Sequence, residues 1–284
     1  MAKKSRQADV DFALSLDSTK LLLFTTAAYD RKSNLKYSFS VFDRNMKKMW
    51  NKTIELPILD KFVDVMDIAL TNEGKVAVIL KHYDQEITRE KVRDDGANVP
   101  AYKTKLLVYD SKSAKPQEYV IDLGNKFVQT LTITDDKASG LDLFGLYKTK
   151  YNGYVNGYFT CNLDAEKLQV KTKLMEKFPD DFIDRVSHDR FGSDRESDPG
   201  ISGNFKLMAK IDRNGYGTDY VLEYYIVKVY TSYNASTGTT STHTDYIKGD
   251  IADVFVDKAG KVVVTRIPKY QFSGSPLFEG FTAL

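Results

Sequence analysis

A short unit, made of an apolar strand, a polar turn and a second apolar strand, occurs four times along this chain of 284 residues. Each copy is followed by another hairpin of the same kind, so hairpins succeed one another in a regular order. Such a chain buries its apolar faces by stacking each group of strands against the next. The four copies begin at Phe12 (FALSLDSTKLLLF), Ile68 (IALTNEGKVAVIL), Leu131 (LTITDDKASGLDLFG) and Phe205 (FKLMAKIDRNGYGTDYVLEYY), and the hairpins that follow them begin at Ser38, Leu106, Tyr158 and Ile251.

The predicted turns share a chemistry that supports this alignment. Asp or Asn opens most of them, because its side chain can accept a hydrogen bond from the backbone two residues further on. Asp17, Asn72 and Asp135 take corresponding places in the first three copies, at intervals of roughly sixty residues. Gly74 and Gly260 supply the positive φ that a tight hairpin turn requires.

A period of about fifty to sixty residues with four strands in each repeat is typical of a β-propeller. We therefore predict an all-β, β-propeller-like fold with about four recognisable four-stranded blades. A β-sandwich or a pair of smaller β domains is the alternative, and an incomplete arc of a larger propeller would also show four units. The predicted single domain covers residues 1–284, with blades over residues 11–57, 63–123, 127–178 and 204–268, an insertion over 179–203 and a C-terminal extension over 269–284.

The longer connecting segments are not distributed evenly. They join the second strand of a repeat to the third, as at Asp84–Ala101 and Ser232–Tyr246, or join one repeat to the next, as at Glu176–Asn204. In a propeller these connections emerge on one face, which is where repeat proteins usually bind their partners. The link also contains apolar residues at helical spacing after Pro179, which predict one short helix near residues 180–190.

Composition excludes several classes of function. The chain has 41 Lys and Arg against 39 Asp and Glu, and these charges are interspersed, so the basic face of a nucleic-acid-binding protein is not expected. Cys161, the single cysteine, excludes an intrachain disulfide and a multi-cysteine zinc site. No apolar run is long enough to cross a membrane, and Met1–Val10 has no signal-peptide core.

Three segments of the chain resemble an uncharacterised family of exported bacterial β-propeller-like proteins. They are SFSVFDRNMKKMW with the following Leu56–Pro57, SDPGISGNFKLMAKIDRNGYGTDYVLEYY, and IPKYQ at Ile267–Gln271. Family members are longer at both ends, with an export signal before this region and more strands after it. The resemblance implies an extracytoplasmic location, in the periplasm or at the cell surface, and it implies no activity that can be assigned to particular residues.

Tyrosines in the predicted long connections are the candidate binding residues. An exposed tyrosine offers a flat ring and a hydroxyl, which suit sugars and peptides, although tyrosines also pack between blades. His243 lies in the Ser/Thr-rich connection and is a further candidate. The candidate binding residues are Tyr29, Tyr83, Tyr151, Tyr154, Tyr233 and His243.

Only weak signals point to a metal, and we expect no cofactor. Asp212, Asn214 and Asp219 in the turn DRNGYGTD place oxygen ligands at alternating positions that could hold Ca²⁺, but an ordinary hairpin explains the same residues. The acidic segment that contains Asp194, Glu196 and Asp198 is a weaker candidate. His82, His188 and His243 show no metal-binding spacing, and the chain contains no GxSxG or GxGxxG motif.

These features favour a non-enzymatic binding or scaffold module that uses its long-loop face to contact a protein, a glycan or a peptide. The first alternative is a hydrolase or lyase that acts on polysaccharide or peptide in the axial depression of the propeller. Such an enzyme needs at least two ionisable groups with separated pKa values. The second alternative is a structural segment of a larger envelope assembly.

Overall fold

The structure, a computed structural model, describes residues 8–83, 91–94, 97–136, 140–187, 199–213 and 215–273. Within these ranges it confirms the predicted all-β, propeller-like class, with four repeated antiparallel sheets and one short helix. The chain divides into two compact units. Unit 1 comprises Met1–Gly153 and Tyr158–Glu176, and unit 2 comprises Tyr154–Gly157 and Lys177–Leu284.

The first sheet is formed by four strands that are consecutive in sequence and in space, in the order β1-β2-β3-β4. Its hairpins close at the turns that the sequence predicts after Asp17 and Asp43. A single turn of 3₁₀ helix over Asp60–Phe62 leads to the second sheet. The strands are β1 (Asp9–Leu14), β2 (Lys20–Thr26), β3 (Asn34–Asp43) and β4 (Lys48–Leu59).

The second sheet has the order β10-β9-β6-β5, and a separate two-stranded hairpin, β7-β8, is inserted between β6 and β9. This hairpin lies within the predicted connection Asp84–Ala101, of which residues 84–90 and 95–96 are outside the described residues. The strands are β5 (Val63–Leu70), β6 (Val76–Tyr83), β7 (Lys91–Asp94), β8 (Ala97–Pro100), β9 (Tyr102–Tyr109) and β10 (Gln117–Ile121).

The third sheet returns to sequential order, β11-β12-β13-β14. Gly145 on β12 is there because a Cβ at this position would lie 2.3 Å from the ring of Phe159 and 2.8 Å from the carbonyl oxygen of Thr130. The strands are β11 (Phe127–Asp136), β12 (Gly140–Lys148), β13 (Gly157–Asp164) and β14 (Val170–Lys177).

Strand β6 shows how the sheets of unit 1 share a core. Its first five residues, Val76–Leu80, form a continuous apolar run because both faces of the strand are buried there. Val76, Val78 and Leu80 pack with the first sheet, and Ala77 and Ile79 pack with the third. Successive side chains of a strand point to opposite faces, so one strand contributes to two hydrophobic clusters. This arrangement is what the repeated hairpin pattern predicts for neighbouring blades.

Unit 2 contains the fourth sheet, with the order β15-β16-β17-β18, and a short strand, β19, that pairs with β17. The predicted helix is confirmed as α1 (Asp180–Ser187); residues 188–190 of the prediction lie outside the described residues. Phe182 and Ile183 of this helix are buried. The strands are β15 (Phe205–Asp212), β16 (Gly217–Asn234), β17 (Thr239–Asp257), β18 (Val262–Ile267) and β19 (Gln271–Ser273).

Candidate functional site

The candidate site is a ribbon, Tyr225–Lys248, in which the β16–β17 hairpin continues beyond its ladder with β15. The short strand β19 pairs with Tyr246–Lys248 at the base of the ribbon. Strands β16 and β17 have 18 and 19 residues, whereas β15 and β18 have 8 and 6. The ladder between β15 and β16 ends at the pair Phe205–Tyr224. The sequence predicts a connecting segment over Ser232–Tyr246, and the structure places those residues at the far end of the ribbon.

The sequence explains why this segment pairs instead of forming an irregular loop. Residues 225–233 (YIVKVYTSY) are almost all β-branched or aromatic, and residues 239–244 (TTSTHT) are rich in threonine. These side chains fit a pleated surface well. Gly238 has a φ of +67° in the turn that joins the strands, a conformation that glycine adopts without steric cost. The ribbon is therefore formed by local propensity and cross-strand pairs.

Beyond the pair of Tyr225 with the buried Lys248 at its base, one face of the ribbon carries no charged side chain among the described residues. Val227, Val229, Thr231 and Tyr233 alternate along β16, and their directly paired residues on β17 are Tyr246, Thr244, Thr242 and Thr240. Residues directly opposite each other in an antiparallel pair lie on the same face. Val229 is 65% exposed and Tyr233 is 68% exposed. This surface, the uncharged face, offers β-branched, hydroxyl and aromatic groups to solvent.

The opposite face of the ribbon is held by cross-strand contacts. The rings of Tyr230 and His243 are stacked, with centroids 5.3 Å apart and planes 20° apart. The Ser232 hydroxyl lies 3.0 Å from Nε2 of His243. Lys228 pairs directly with Asp245. Contacts of this kind stabilise a sheet, so they fix the register of the ribbon from one face and leave the other face open.

The base of the ribbon is anchored by a buried ionic cluster. The carboxylate of Glu223 accepts a hydrogen bond of 2.6 Å from Nζ of Lys269, and Nζ of Lys248 lies 3.6 Å away from it. Glu223 and Lys248 are both buried. The β16–β17 pairing shifts register between Glu223 and Tyr225. A buried charge is tolerated when it is paired, and this cluster connects the ribbon to the sheet.

Two of the predicted binding residues, Tyr233 and His243, belong to the ribbon but lie on its opposite faces. Tyr83 and Tyr151 lie in unit 1, where both pack into a cluster with Phe127. Tyr83 is only 8% exposed and donates a hydrogen bond to Asp64, whereas Nζ of Lys91 lies over the Tyr151 ring.

Tyr29 of unit 1 and Tyr154 of unit 2 are each half-buried in a connecting segment. Within unit 1 the structure brings Tyr83 and Tyr151 into one cluster, and within unit 2 it places Tyr233 and His243 on the same ribbon. Val229 and Tyr230 are not among the predicted binding residues. The signal that could have identified them is the long β-branched and aromatic run itself, which predicts paired strands.

The turn proposed for calcium is organised by an arginine. Nε and Nη2 of Arg213 donate hydrogen bonds of 2.5 and 2.6 Å to the Asp219 carboxylate, and Asp219 is buried. Asp212 accepts a hydrogen bond from the amide of Gly215, and Asn214 lies outside the described residues. Among the residues that the structure describes, no three His, Cys, Asp or Glu side chains are grouped to hold a metal. Residues 194–198 are not among them.

Comparisons with known proteins leave the family open. No protein-family model matches the chain, and no curated protein does. The resemblance to exported propeller-like proteins therefore stays a prediction. No helix in the described part of the chain has the length and apolar character needed to cross a membrane.

The solved structures that resemble this chain superpose on it with low TM-scores. A variant of the apocarotenoid oxygenase of Synechocystis has a TM-score of 0.40 and 8% identity, over 94% of this chain and 64% of that one. Its cobalt-substituted form gives a TM-score of 0.40 and 9% identity, over 95% and 65% of the two chains. A protein of unknown function from Bacteroides caccae has a TM-score of 0.29 and 10% identity, over 93% of this chain and 83% of that one. The chain thus spans less than two thirds of the length of the oxygenase structures.

Proposed function

We propose that this protein is a non-enzymatic binding module that captures an extended polypeptide segment along the ribbon. The observation that carries the proposal is the open edge of β16. Residues 226–234 pair with β17 on one side, and within the described part of the chain no strand pairs with their other side. An edge of this kind presents unpaired backbone N–H and C=O groups, which bind an added strand.

The side chains of the ribbon support a polypeptide as the ligand. Backbone hydrogen bonds along an edge are independent of sequence, and specificity comes from side chains that alternate across the added strand. The uncharged face offers Val229 and Tyr233 to those side chains. An uncharged surface costs little to desolvate, and tyrosine adds contact area at low entropic cost.

The test is a ribbon-shortened variant. Replacing Lys228–Asp245 by Asn-Gly joins Val227 to Tyr246, which already pair directly, through a two-residue turn that suits a hairpin. The full and shortened chains are applied to an array of short peptides with alternating β-branched and polar residues. We expect the full chain to bind a subset of the peptides and the shortened chain, equally stable to heat, to bind none of that subset.

Hydrogen exchange locates the binding on the structure. A bound peptide should slow amide exchange within residues 226–234, while the hairpin turn after Asp43 serves as an internal control. Equal peptide binding by both chains, or protection confined to other segments, would contradict the proposal. A glycan array is run in parallel, because binding of glycans in preference to every peptide would assign the ribbon a different class of ligand.

We also propose, from the resemblance stated above, that the protein acts outside the cytoplasm. Fractionation of the cells that carry the gene, with an antibody against the protein, tests this location. Recovery with cytoplasmic markers alone would contradict it. This proposal is independent of the ribbon.

A further inference from the structure

An acidic cavity with a volume of about 250 Å³ lies in unit 1, between strands β1, β2 and β5. Of the described residues that line it, four are aspartates and none is basic. The remainder of the lining consists of one hydroxyl and four apolar side chains. The aspartates are Asp9 and Asp11 on β1 with Asp64 and Asp67 on β5, and the other residues are Phe24, Thr26, Val65, Met66 and Ile68.

Each aspartate is oriented by hydrogen bonds from uncharged donors. The carboxylates of Asp9 and Asp11 accept hydrogen bonds from the backbone amides of Val10 and Phe12, their neighbours on β1. Asp64 accepts the hydroxyl of Tyr83 at 3.0 Å, and Asp67 accepts the amide of Ile133 at 2.8 Å. These donors fix the carboxyl groups without neutralising their charge. A concave acidic surface with apolar walls concentrates negative potential and attracts a cation.

Thr26 provides a second, independent indication of a ligand. Its side chain lines the cavity from β2, and the residue is only 8% exposed. Its hydroxyl oxygen is buried and has no hydrogen-bond partner among the residues that the structure describes. Buried hydroxyl groups are nearly always hydrogen-bonded, so an orphan hydroxyl in a cavity wall indicates a partner that the protein itself does not supply.

We propose that this cavity binds the primary ammonium group of an alkylamine. A primary ammonium has three N–H donors and no acceptor, which suits a site of carboxylates and one hydroxyl. The apolar side chains of Phe24, Val65, Met66 and Ile68 can contact the attached methylene groups. A bare metal ion fits poorly, because within the described residues no three carboxylates are grouped around one point.

The protonation of Asp67 makes the binding dependent on pH. Burial raises the pKa of Asp67 to about 6, and the nearby Asp11 carboxylate adds to this increase. Asp9 and Asp11 on β1 and Asp64 on β5 are the titratable groups that line the cavity with it. An ammonium ligand binds more tightly when Asp67 is ionised. The affinity of the cavity for this ligand should therefore fall as pH decreases through about 6.

The test is titration calorimetry of the full chain with n-butylammonium, using n-butanol as the neutral control of similar shape. We expect binding of the amine only, and affinity several-fold weaker at about pH 5.5 than at about pH 7.5. A short peptide with one internal lysine, compared with the same peptide containing norleucine, distinguishes a lysine side chain from a free amine as the source. Preferential binding of either amine supports the site.

Two substitutions and a matched control locate the site. Thr26→Val keeps the shape of the side chain and removes the hydroxyl, so affinity should fall roughly tenfold while thermal stability stays equal or rises. Asp67→Asn should weaken binding and remove its pH dependence. Glu176→Gln removes a charge from an exposed position on β14 and should change neither the affinity for the amine nor its pH dependence.

The inference is overturned if the wild-type chain binds n-butylammonium no better than n-butanol. It is also overturned if Thr26→Val binds the amine as tightly as Glu176→Gln does, once thermal unfolding has shown that Thr26→Val is folded. Because Thr26→Val removes no internal hydrogen bond, it keeps the test decisive even if Asp67→Asn fails to fold. The cavity lies in unit 1 and the ribbon in unit 2, so either proposal can fail without the other.

Discussion

The backbone amide of Asp17 donates a hydrogen bond of 2.9 Å to the side-chain oxygen of Asn72, 55 residues further along the chain. The amide of Asn72 in turn donates a hydrogen bond of 2.7 Å to the carboxylate of Asp135, 63 residues further on. Residues that open the first turn of successive repeats are thus bonded to one another. The side chain that the sequence identifies as a turn former also connects neighbouring sheets of unit 1.

The Asn72 side chain should therefore contribute to stability beyond its own turn. Asn72→Ala removes the acceptor for the Asp17 amide, and because this hydrogen bond is exposed, water can replace the acceptor, so we expect a loss of only about 0.5–1 kcal/mol in the free energy of unfolding. Urea denaturation measures it. Asn45→Ala is the matched control, because Asn45 is exposed and bonds Asp43 through its backbone amide. Equal effects of the two substitutions would refute the role of the inter-repeat bond.

Tyr37 and Tyr109 form a second contact between the first two sheets. Their hydroxyl groups are buried and lie 2.5 Å apart. Tyr37→Phe leaves the Tyr109 hydroxyl unpaired and should cost about 1–2 kcal/mol, whereas the double Phe variant should cost less than the sum of the single changes. Chemical denaturation of all four chains gives the coupling free energy. Strict additivity would show that the two hydroxyl groups do not interact.

The ionic cluster at the base of the ribbon should be far more sensitive than an exposed ion pair. Glu223→Gln leaves Lys248 buried without its charged partner, and we expect a loss of about 3 kcal/mol. Glu55→Gln is the comparison, because Glu55 and Lys36 are each 52% exposed and their pair should contribute about 0.5 kcal/mol or less. Thermal and urea unfolding distinguish the two effects. Similar losses in both variants would contradict the anchoring role of Glu223.

The raised pKa of Asp253 should make the free energy of unfolding depend on pH. Burial and the neighbouring Asp219 carboxylate raise the pKa of Asp253 to about 6. The ordinary value is 3.8, so between about pH 4 and pH 6 the folded chain binds more protons at this residue than the unfolded chain does. The contribution of Asp253 to stability is therefore present at low pH and lost as pH rises through that window.

Replacement of Asp253 by Asn should flatten this dependence. We expect the loss of unfolding free energy between about pH 4 and pH 6 to be smaller than in the wild type, by on the order of 2 kcal/mol. Asp67 titrates in the same range, so the difference between the two chains is the quantity to measure. Asp184→Asn on the exposed side of α1 is the control. Parallel pH profiles for wild type and Asp253→Asn would contradict the assignment.

The prediction of the fold succeeded where local pattern and long-range packing agree. The Asp and Gly turns and the apolar runs around Ile68 are formed by residues close in sequence, and the same runs form the core. The ribbon was missed because a Ser/Thr-rich segment was interpreted as a connection, although its β-branched residues also favour strands. Tyr83 is predicted as an exposed binding residue but is buried. An aromatic residue beside a long connection gives no local sign of whether it packs inward.

The sequence by itself determined the all-β class, the four repeated sheets and the short helix after Pro179, because strand alternation, turn chemistry and helix initiation depend on near neighbours. Only the tertiary structure decided which repeated positions bond across sheets, as Asp17 and Asn72 do. It also decided that Asp11 and Asp67, on different strands, face one cavity with the hydroxyl of Thr26. Such sites depend on the register and stacking of strands that are distant in sequence, and no local pattern encodes those distances.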